Sequence, residues 1–542
     1  MRFTEFKGNA DIATSSFPAS KIESRSIGHI TLIRTPIVSS VNSFSAPITA
    51  PLALAYLSAS LIRAGFTVTP IDAIGEAIDH VFLCQDPPCR VRGLSNDEII
   101  RRIPPQTQLI AVSCMFSQEW LVVRNVIKAI KKVFPAVPVV LGGEHATAVP
   151  REILESTPEV ALCAVGEGEE TIIDIARNFY NDLQKIPGIV FRGNGGEIIR
   201  TGARTRIQAL EKIPRPAWHL LPIEVYLQRG VGVGISAGRN MPILATRGCP
   251  FQCTFCSNKG MWTQRYYTRD PEDVVDEIEG YIRDYKIDMV EFFDLTAIVK
   301  KDWILQFGKL LKERNIHIKW SLPSGTRSEA LDEEVVKLLA ETNCHYLVYA
   351  AESGSVETLK DIKKEVKLDR MMSSMKAAKR NGLSLRCNLM MGFPKEERKD
   401  VWKTLWFQLK LAFLGVDDAP IFMFSPYPGT ELFNYLCKTG KIPSMDENYY
   451  RSLICQMDLT QTSTYCENIG PKELAFYRVL GMSVFYFISY LFYPQRIIRS
   501  IRNIFGTKKT ATVFEQRIVE LLNTREQIKR RAGTPGVVSA LE

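Results

Sequence analysis

The chain has 542 residues, of which 46% are apolar and 23% charged, and its formal net charge is +9. This balance is typical of a folded, soluble protein and excludes a disordered or collagen-like chain, while the length predicts two or three domains. The positive charge is a small excess for this length, so we expect no nucleic-acid partner.

The amino terminus and the cysteines indicate the compartment. Residues 1–27 are rich in Ser, Thr and Ala, and we expect a flexible arm without the apolar segment of a secretory signal. Most of the twelve cysteines are scattered, which is typical of reduced thiols and not of a disulfide framework. The sequence therefore predicts a cytoplasmic protein in which clustered cysteines indicate metal or redox chemistry.

Residues 28–185 are predicted to form a doubly wound, Rossmann-like α/β domain. Apolar strand patterns at 29–38, 68–73, 108–116, 138–143 and 161–169 alternate with helical patterns. Such a rhythm predicts a parallel sheet covered on both faces, and ligands bind these sheets in the loops after the strands. The residues of those loops that we select as ligand-binding candidates are Ser113, Gly142, Gly143, Glu167 and Gly168.

A Gly- and Pro-rich linker is predicted over 186–235, and a second α/β rhythm over 236–430. Its six β-then-α units predict an open, partial (β/α)6 barrel. Reactive groups in barrels lie on the loops after the strands. The polar or glycine residues at these strand ends are Cys249, Asp294, Glu352 and Gly392.

Residues 431–542 are predicted to form a helical carboxy-terminal region. Val479 to Tyr493 is an uncharged, aromatic-rich run, and a basic amphipathic helix follows it. The run is shorter than the roughly 20 residues that span a bilayer. Peripheral membrane contact and packing against the barrel both remain open for this helix.

Cys249, Cys253 and Cys256 are the strongest chemical signal in the chain. Structural zinc sites usually have four ligands, and neither a second cysteine pair at metal spacing nor a paired-histidine motif accompanies these three. Three thiolates on one short loop suit a cubane iron–sulfur cluster that leaves one iron open. A zinc knuckle that borrows a distant ligand, such as Cys344 or His345, is the alternative.

The motif Cys-x3-Cys-x2-Cys, with an aromatic residue before its last cysteine, resembles the radical S-adenosylmethionine (SAM) family. The later segments EFFDLT, SGTRSEAL, YAAESGS and NLMMGFPKE extend the resemblance over about residues 240–430. It implies that the three cysteines hold a [4Fe–4S] cluster whose open iron binds SAM, and that a flavodoxin- or ferredoxin-type protein donates the electron. The residues implied to contact SAM are Asp294, Arg327, Glu352 and Gly392. FFDLT stands where the family has Gly-Gly-Glu.

The segments that precede this motif resemble the cobalamin-binding domain of cobalamin-dependent radical SAM enzymes. The whole arrangement is similar to the branch that includes the anaerobic magnesium-protoporphyrin monomethyl ester cyclase. This resemblance implies a cobalamin site at Ser113, Gly142, Gly143, Glu167 and Gly168. The Asp-x-His-x-x-Gly motif of many such domains is incomplete, because Ile74 follows Asp72 in place of the histidine. Two interpretations follow: cobalamin bound without a protein histidine, or a domain that has lost cobalamin. His145 is either an axial ligand or a structural residue.

The leading functional hypothesis is a cobalamin-dependent radical SAM enzyme that functionalises an unactivated carbon, most often by methyl transfer. The first alternative is an oxidative cyclase or hydroxylase of a hydrophobic or tetrapyrrole-like substrate. The second, from another class, is a zinc-stabilised binding protein without turnover. A methylthiotransferase is disfavoured because Cys84, Cys89, Cys114 and Cys163 lack the spacing for a second cluster; we interpret Cys84 and Cys89 as an incidental pair in a loop.

Overall fold

The computed structural model describes residues 27–41, 43, 48–85, 88–235, 237–454, 458, 464–504 and 512–532. All but the last residue of the arm predicted over 1–27 therefore lies outside the described residues. The remainder forms two α/β units followed by a helical region, which confirms the predicted fold class.

A seven-stranded sheet forms the centre of the first unit. Its strands are β1 (His29–Arg34), β3 (Thr67–Asp72), β6 (Leu109–Ser113), β7 (Val139–Gly142), β8 (Leu162–Ala164), β9 (Ile189–Arg192) and β10 (Ile198–Arg200). The order is β10-β9-β8-β7-β6-β1-β3, and the five strands from β3 to β8 are parallel. The helices of this unit are α1 (Leu52–Arg63), α2 (Asn96–Arg102), α3 (Trp120–Val133), α4 (Glu144–Ala148), α5 (Pro150–Ser156) and α6 (Gly168–Asn178).

The structure differs from the sequence interpretation in two places. Strands β9 and β10 continue the first sheet antiparallel into the segment predicted as linker. A separate antiparallel sheet contains β2 (Ile37–Ser39), β4 (Val81–Gln85) and β5 (Pro88–Arg92). Cys84 and Cys89 face each other across β4 and β5, so the loop predicted for them is wrong. These strands have five residues or fewer, too short for a clear alternation of apolar and polar residues.

The second unit is an open barrel of six parallel strands in chain order. They are β11 (Asn240–Ile243), β14 (Met289–Phe292), β15 (Lys319–Thr326), β16 (Cys344–Glu352), β17 (Ser384–Met391) and β18 (Ile421–Met423). A short antiparallel pair, β12 (Thr246–Arg247) and β13 (Tyr267–Thr268), follows β11. The helices are α7 (Ile223–Arg229), α8 (Asn258–Trp262), α9 (Pro271–Tyr285), α10 (Lys301–Glu313), α11 (Glu333–Glu341), α12 (Val356–Asp361), α13 (Leu368–Arg380) and α14 (Arg398–Leu414).

The carboxy-terminal region is helical, as predicted. Its helices are α15 (Glu431–Lys438), α16 (Glu447–Ile454), α17 (Pro471–Phe492), α18 (Gln495–Arg502) and α19 (Val513–Ala532). By length and composition alone α17 could cross a membrane, which is weak evidence because the core helix of a soluble protein passes the same test. It packs beside α14, and about a third of its apolar window is buried.

Candidate active site

Residues 248–257, which we call the cysteine loop, lie between β12 and α8, above the carboxyl end of the first barrel strand. The Cys256 N–H donates to the Cys253 carbonyl (3.1 Å), and the Asn258 side-chain amide donates to the Cys249 carbonyl (3.3 Å). The Thr254 N–H reaches across to the Ile362 carbonyl (3.0 Å). Local bonds therefore shape the loop, and a contact with the segment after α12 fixes its position.

The three sulfurs share one electrostatic environment. The Thr296 hydroxyl donates to the Cys249 sulfur (3.5 Å). Burial raises the pKa of Cys253 and that of Cys256, the latter to about 12, and the neighbouring thiols add to both shifts. Cys253 and Cys256 open onto a cavity of about 580 Å³, through which Cys256 stays accessible despite the protein packed around it. The loop thus presents sulfur ligands to a space large enough for an inorganic cluster.

The geometry argues against a zinc knuckle. Within the described part of the chain, no three His, Cys, Asp or Glu side chains are placed to hold a single metal ion. Cys344 begins β16, whereas the cysteine loop lies at the opposite, carboxyl end of the barrel strands. Eight residue steps along a strand are about 26 Å, so neither Cys344 nor His345 is a fourth ligand. A cubane places each thiolate on a different iron, which removes the need for a shared coordination sphere.

Two predicted SAM residues lie beside Cys253. Glu352 ends β16 with φ of 64°, a conformation that costs energy for a residue with a side chain. It pairs with the Lys364 ammonium at 2.9 Å, and both groups are buried. Arg327, after β15, stacks its guanidinium on Phe251 at 3.4 Å. Lys364 could not be predicted as a partner of Glu352, because it lies in an ordinary lysine-rich stretch with no motif of its own.

The other two predicted SAM residues make local contacts. The Gly392 N–H, directly after β17, donates to the buried Glu396 carboxylate (2.6 Å). Asp294 is fully buried after β14 and accepts from the Ala245 N–H at 3.1 and 3.2 Å, while burial raises its pKa to about 6. Asp294 thus supports the strand end that precedes the cysteine loop, and its contact with SAM stays a prediction.

Small residues form a flat edge on the first sheet. Ser113 and Gly142 are neighbours in register at the ends of β6 and β7, and Ala164 ends β8 beside them. An added side-chain atom at Gly142 would meet nothing nearer than 4.0 Å. Gly143 differs, because its φ is 107° and a side chain there would collide with the Cys114 carbonyl. Three adjacent strands therefore end without a large side chain above them, which leaves room for a bulky ligand.

The cysteine loop meets the turn at Gly142 and Gly143 between β7 and α4, which we call the glycine loop, at the contact between the two units. The Ser257 hydroxyl donates to the Glu144 carboxylate, and Glu144 also contributes to the raised pKa of Cys256. The Thr147 hydroxyl contacts the Met261 sulfur at 3.3 Å, so α4 packs on α8. Residues 142–147 of one unit thus face residues 256–261 of the other.

A buried ionic cluster joins the units at one side of this contact. The Glu167 carboxylate pairs with Arg247 (3.1 Å) and Arg206 (2.9 Å) and accepts the Ile207 N–H (2.8 Å). Arg247 also pairs with Glu169 at 2.5 Å. Gly168 packs against Leu57 of α1, where a side chain would meet that leucine at 2.9 Å. Glu167 and Gly168 therefore have structural contacts, and the cobalamin contacts predicted for them stay predictions.

Comparison with known proteins agrees with this arrangement. The Radical SAM superfamily model matches residues 243–407, and the B12 binding domain model matches residues 41–176. The chain contains a radical SAM domain and a B12-binding domain. The radical SAM domain brings a [4Fe–4S] cluster and SAM as its cofactors, and the B12-binding domain brings cobalamin, which confirms the predicted cofactors.

Curated relatives of this chain include two methyltransferases. An uncharacterized methyltransferase of Pyrococcus horikoshii, PH0819, is 28% identical over 78% of this chain and 86% of its own length. Cytidylyl-2-hydroxyethylphosphonate methyltransferase of Streptomyces wedmorensis is 27% identical, covering 74% of this chain and 80% of its own. The anaerobic magnesium-protoporphyrin IX monomethyl ester cyclase of Cereibacter sphaeroides is 26% identical over 71% of this chain and 60% of its own.

Two solved structures share the fold. The cobalamin-dependent SAM radical enzyme OxsB superposes with a TM-score of 0.64 at 15% identity, covering 93% of this chain and 79% of that one. The radical SAM methyltransferase TsrM from Kitasatospora setae superposes with a TM-score of 0.58 at 18% identity, covering 76% and 78%. At these identities the likeness concerns the fold alone.

The residues of this chain fit both metal-containing groups. The three clustered thiols and their cavity match the thiolate donors of an iron–sulfur cube. The small residues Ser113, Gly142 and Ala164 leave an uncovered strand edge for a ligand as large as cobalamin. The cysteine loop and this strand edge face each other across the contact between α4 and α8.

His145 lies within the core of the B12-binding domain. Its Nδ1 is 2.9 Å from the Ser117 hydroxyl, and its ring packs between Trp120 and Tyr450. Burial lowers its pKa to about 3, so the ring is neutral, and its Nε2 has no hydrogen-bond partner among the described residues. The role of axial ligand stays a hypothesis, and an unchanged cobalt spectrum in His145→Ala would remove it.

We expect Gly143→Ala and Gly142→Ala to separate folding from ligand binding. Gly143→Ala combines a left-handed φ with a backbone collision and should cost about 1–3 kcal/mol of stability. Gly142→Ala has space and should keep the wild-type melting temperature while retaining less cobalamin, because its new methyl group lies on the predicted binding edge. Thermal melts and cobalt content after desalting measure both effects. Equal melting temperatures for the two variants would contradict this account of the loop.

Proposed function

We propose that this chain is a cobalamin-dependent radical SAM methyltransferase that acts at an unactivated carbon of a small, hydrophobic substrate. The observation that carries the proposal is the contact between the cysteine loop and the glycine loop, where the Ser257 hydroxyl donates to Glu144 and Thr147 contacts Met261 as α4 packs on α8. When bound, the cluster and SAM supply a hydrogen-abstracting adenosyl radical, and cobalamin carries the methyl group. This contact would place bound SAM and bound cobalamin beside the same substrate.

The residues around Cys253 suit a charged cofactor such as SAM. We assign Arg327 to its carboxylate, Glu352 to its ribose hydroxyls, Asp294 to its amine and the Gly392 backbone to its adenine. Lys364 compensates the charge of Glu352 in the buried wall, so neither group stands alone in a medium of low dielectric constant. The rings of Phe255 and Phe393 pack together at 5.8 Å beside the loop and help to exclude water, which a reactive radical requires.

The relatives support methyl transfer first and oxidative chemistry second. The two methyltransferases match this chain over most of both lengths, whereas the Cereibacter cyclase extends well beyond the matched region. Oxidative cyclisation or hydroxylation is therefore our second candidate, favoured by the cyclase relatives alone.

Anaerobic reconstitution with iron, sulfide and hydroxocobalamin tests the proposal. We expect a complete iron–sulfur cube and stoichiometric cobalt in the full-length protein, and a substrate product that gains one methylene unit from SAM labelled in its methyl group. Loss of hydrogen or gain of oxygen would favour the cyclase or hydroxylase. Zinc in place of iron would contradict every radical mechanism.

We propose that a cytoplasmic flavodoxin- or ferredoxin-type donor reaches the cluster through the cavity at Cys253 and Cys256. Exposed Lys259 and Lys438 line this cavity, while Glu431 at its edge is paired with Lys363. A net positive rim suits an acidic electron carrier, because complementary charge accelerates encounter.

Reversing the charge of this rim should weaken binding of the electron donor and leave the reaction at the cluster unchanged. In the double variant Lys259→Glu/Lys438→Glu we expect the KM for an acidic flavodoxin to rise about tenfold at low salt, since steering of this kind changes rates by that order. Turnover with dithionite should stay unchanged. The matched control is Lys309→Glu/Lys337→Glu on exposed turns of α10 and α11. An unchanged KM in the first variant, or an equal rise in the control, would contradict the docking site.

A further inference from the structure

The outward side of α17 is apolar, the reverse of an ordinary surface helix. Arg478 is the one charged residue between 474 and 494, and it points inward, where its guanidinium donates to the Asp458 carbonyl. Phe476, Phe487 and Leu491 point outward, and Phe487 is 67% exposed. A helix that meets only water places its charged side outward, so this pattern indicates that something other than water covers it.

Helix α14 widens this apolar surface. Arg398 pairs with Glu473 (2.7 Å) at the amino end, and the rings of Phe413 and Phe492 lie 4.9 Å apart at the carboxyl end, so α14 and α17 run parallel. Trp406 is 60% exposed, and Trp402, one turn earlier, is half exposed. Exposed tryptophans on successive turns are unusual in water, because a large ring gains most from burial.

Helix α18 continues the surface past Pro494. Arg496 is buried and donates to the Gly415 carbonyl (2.7 Å), which holds α18 against the end of α14. Ile498, 72% exposed, and Ile501 therefore remain on the outside. We call the exposed apolar side chains of α14, α17 and α18 the aromatic face. It follows α17 for about 33 Å at 1.5 Å per residue.

Beyond the Arg398–Glu473 pair at its amino end, the aromatic face is bordered by basic charge. No acidic residue occurs from Leu474 to Arg502. Exposed basic side chains border the apolar ones, Lys410 on α14 and Arg502 on α18. Tryptophan and apolar side chains bordered by arginine and lysine are the composition that binds at an anionic lipid surface.

The fold opposes insertion of α17 across a bilayer. Its inner side packs on the barrel through Leu474, Gly481 and Phe485, and a side chain at Gly481 would collide with Leu405. Extraction of the helix would expose this side and carry Arg478 into hydrocarbon, a cost of about 2.5–3.5 kcal/mol for the charge alone. Helix α17 is therefore suited to lie along a membrane and not through it.

We propose that the aromatic face binds the folded enzyme to the surface of an anionic lipid bilayer, with α14 and α17 in the plane of the interface. The rings of Trp402 and Trp406 would lie at headgroup depth, and Lys410 and Arg502 would meet lipid phosphates. This inference goes beyond the proposed function and does not depend on it, because it uses no residue of the active site.

Co-sedimentation of the full chain with vesicles tests the inference. We expect binding to phosphatidylcholine vesicles that contain about a third phosphatidylserine, and much weaker binding to phosphatidylcholine alone, since the basic border requires anionic lipid. The triple variant Trp406→Ser/Phe487→Ser/Ile498→Ser should bind at least about tenfold more weakly, because each substitution removes exposed apolar area and leaves the core intact.

A matched control and a second readout keep the outcome decisive. Ile62→Ser/Val133→Ser removes exposed apolar side chains from α1 and α3, which belong to the first unit and not to the aromatic face, and should bind as wild type. Brominated lipids should quench tryptophan fluorescence less in Trp402→Phe/Trp406→Phe than in the wild-type protein. Equal binding by the triple variant and wild type, or no binding to anionic vesicles, would overturn the inference. So would a dimer that forms without lipid and is lost in the triple variant, because a second copy would then cover the face.

Discussion

Replacing Cys253 by alanine should give a folded protein without iron and with SAM cleavage reduced to background. Cys253 is one of three thiols on a short loop, and it lies beside the buried Glu352–Lys364 pair that we assign to the SAM site. A cube held by two thiolates loses a third of its protein ligands, and the cysteine loop itself contains no further cysteine. Iron analysis and the absorption spectrum of anaerobically reconstituted protein measure the effect.

Cys437→Ala is the matched control for this experiment. Cys437 is a half-buried thiol on α15, outside the cysteine loop. We expect this variant to keep the iron content, colour and SAM cleavage of the wild type. Wild-type iron in Cys253→Ala would show that the cluster ligands lie elsewhere.

Arg247→Met should destabilise the protein by about 3–5 kcal/mol, the usual cost of stranding a buried charge by removing its partner. Arg247 is almost fully buried at the contact between the domains, and its loss strands the Glu169 carboxylate, whereas Glu167 keeps its pair with Arg206. The midpoint of urea unfolding, followed by fluorescence, reports the loss. Cobalt retention should fall with it, because the same contact positions the two cofactor loops.

A surface control and a double variant test whether the loss of stability in Arg247→Met comes from the buried ion pair. Arg151→Ala breaks an exposed pair with Glu155 and should change stability by less than about 0.5 kcal/mol. The double variant Arg247→Met/Glu169→Gln should lose less than the sum of its single variants, since the second change removes the carboxylate that the first one strands. Strict additivity would indicate that Arg247 and Glu169 do not interact as the geometry describes.

The sequence was sufficient for the domain order, the strand-end positions and the cysteine loop, and the reasons are local. Apolar runs of strand length alternate with amphipathic helices, so the ends of β14 to β17 follow from pattern alone. Three cysteines in eight residues are a chemical signal that needs no tertiary information. Asp270 caps α9 and Pro271 is its first residue, a start that also depends only on neighbouring residues.

The partners of these residues could not be predicted. Glu167 meets Arg247 across 80 positions, and Lys364 reaches Glu352 through a turn that has no distinctive composition. The orientation of α17 could not be predicted either, since its composition does not show that Arg478 points inward and Phe487 outward. Sequence pattern located the loops of the site, whereas long-range pairing decided what each loop contacts.

The ionic cluster at Arg247 restricts how this protein can exchange parts with its relatives. Arg247 lies two residues before Cys249, yet its counterions, Glu167 and Glu169, belong to the other domain. A chimera that joined this barrel to a B12-binding domain without those carboxylates would carry an uncompensated guanidinium in its interior, next to the iron ligands. Recombination between relatives should therefore succeed only where Arg247 and its two carboxylates, Glu167 and Glu169, come from the same parent protein.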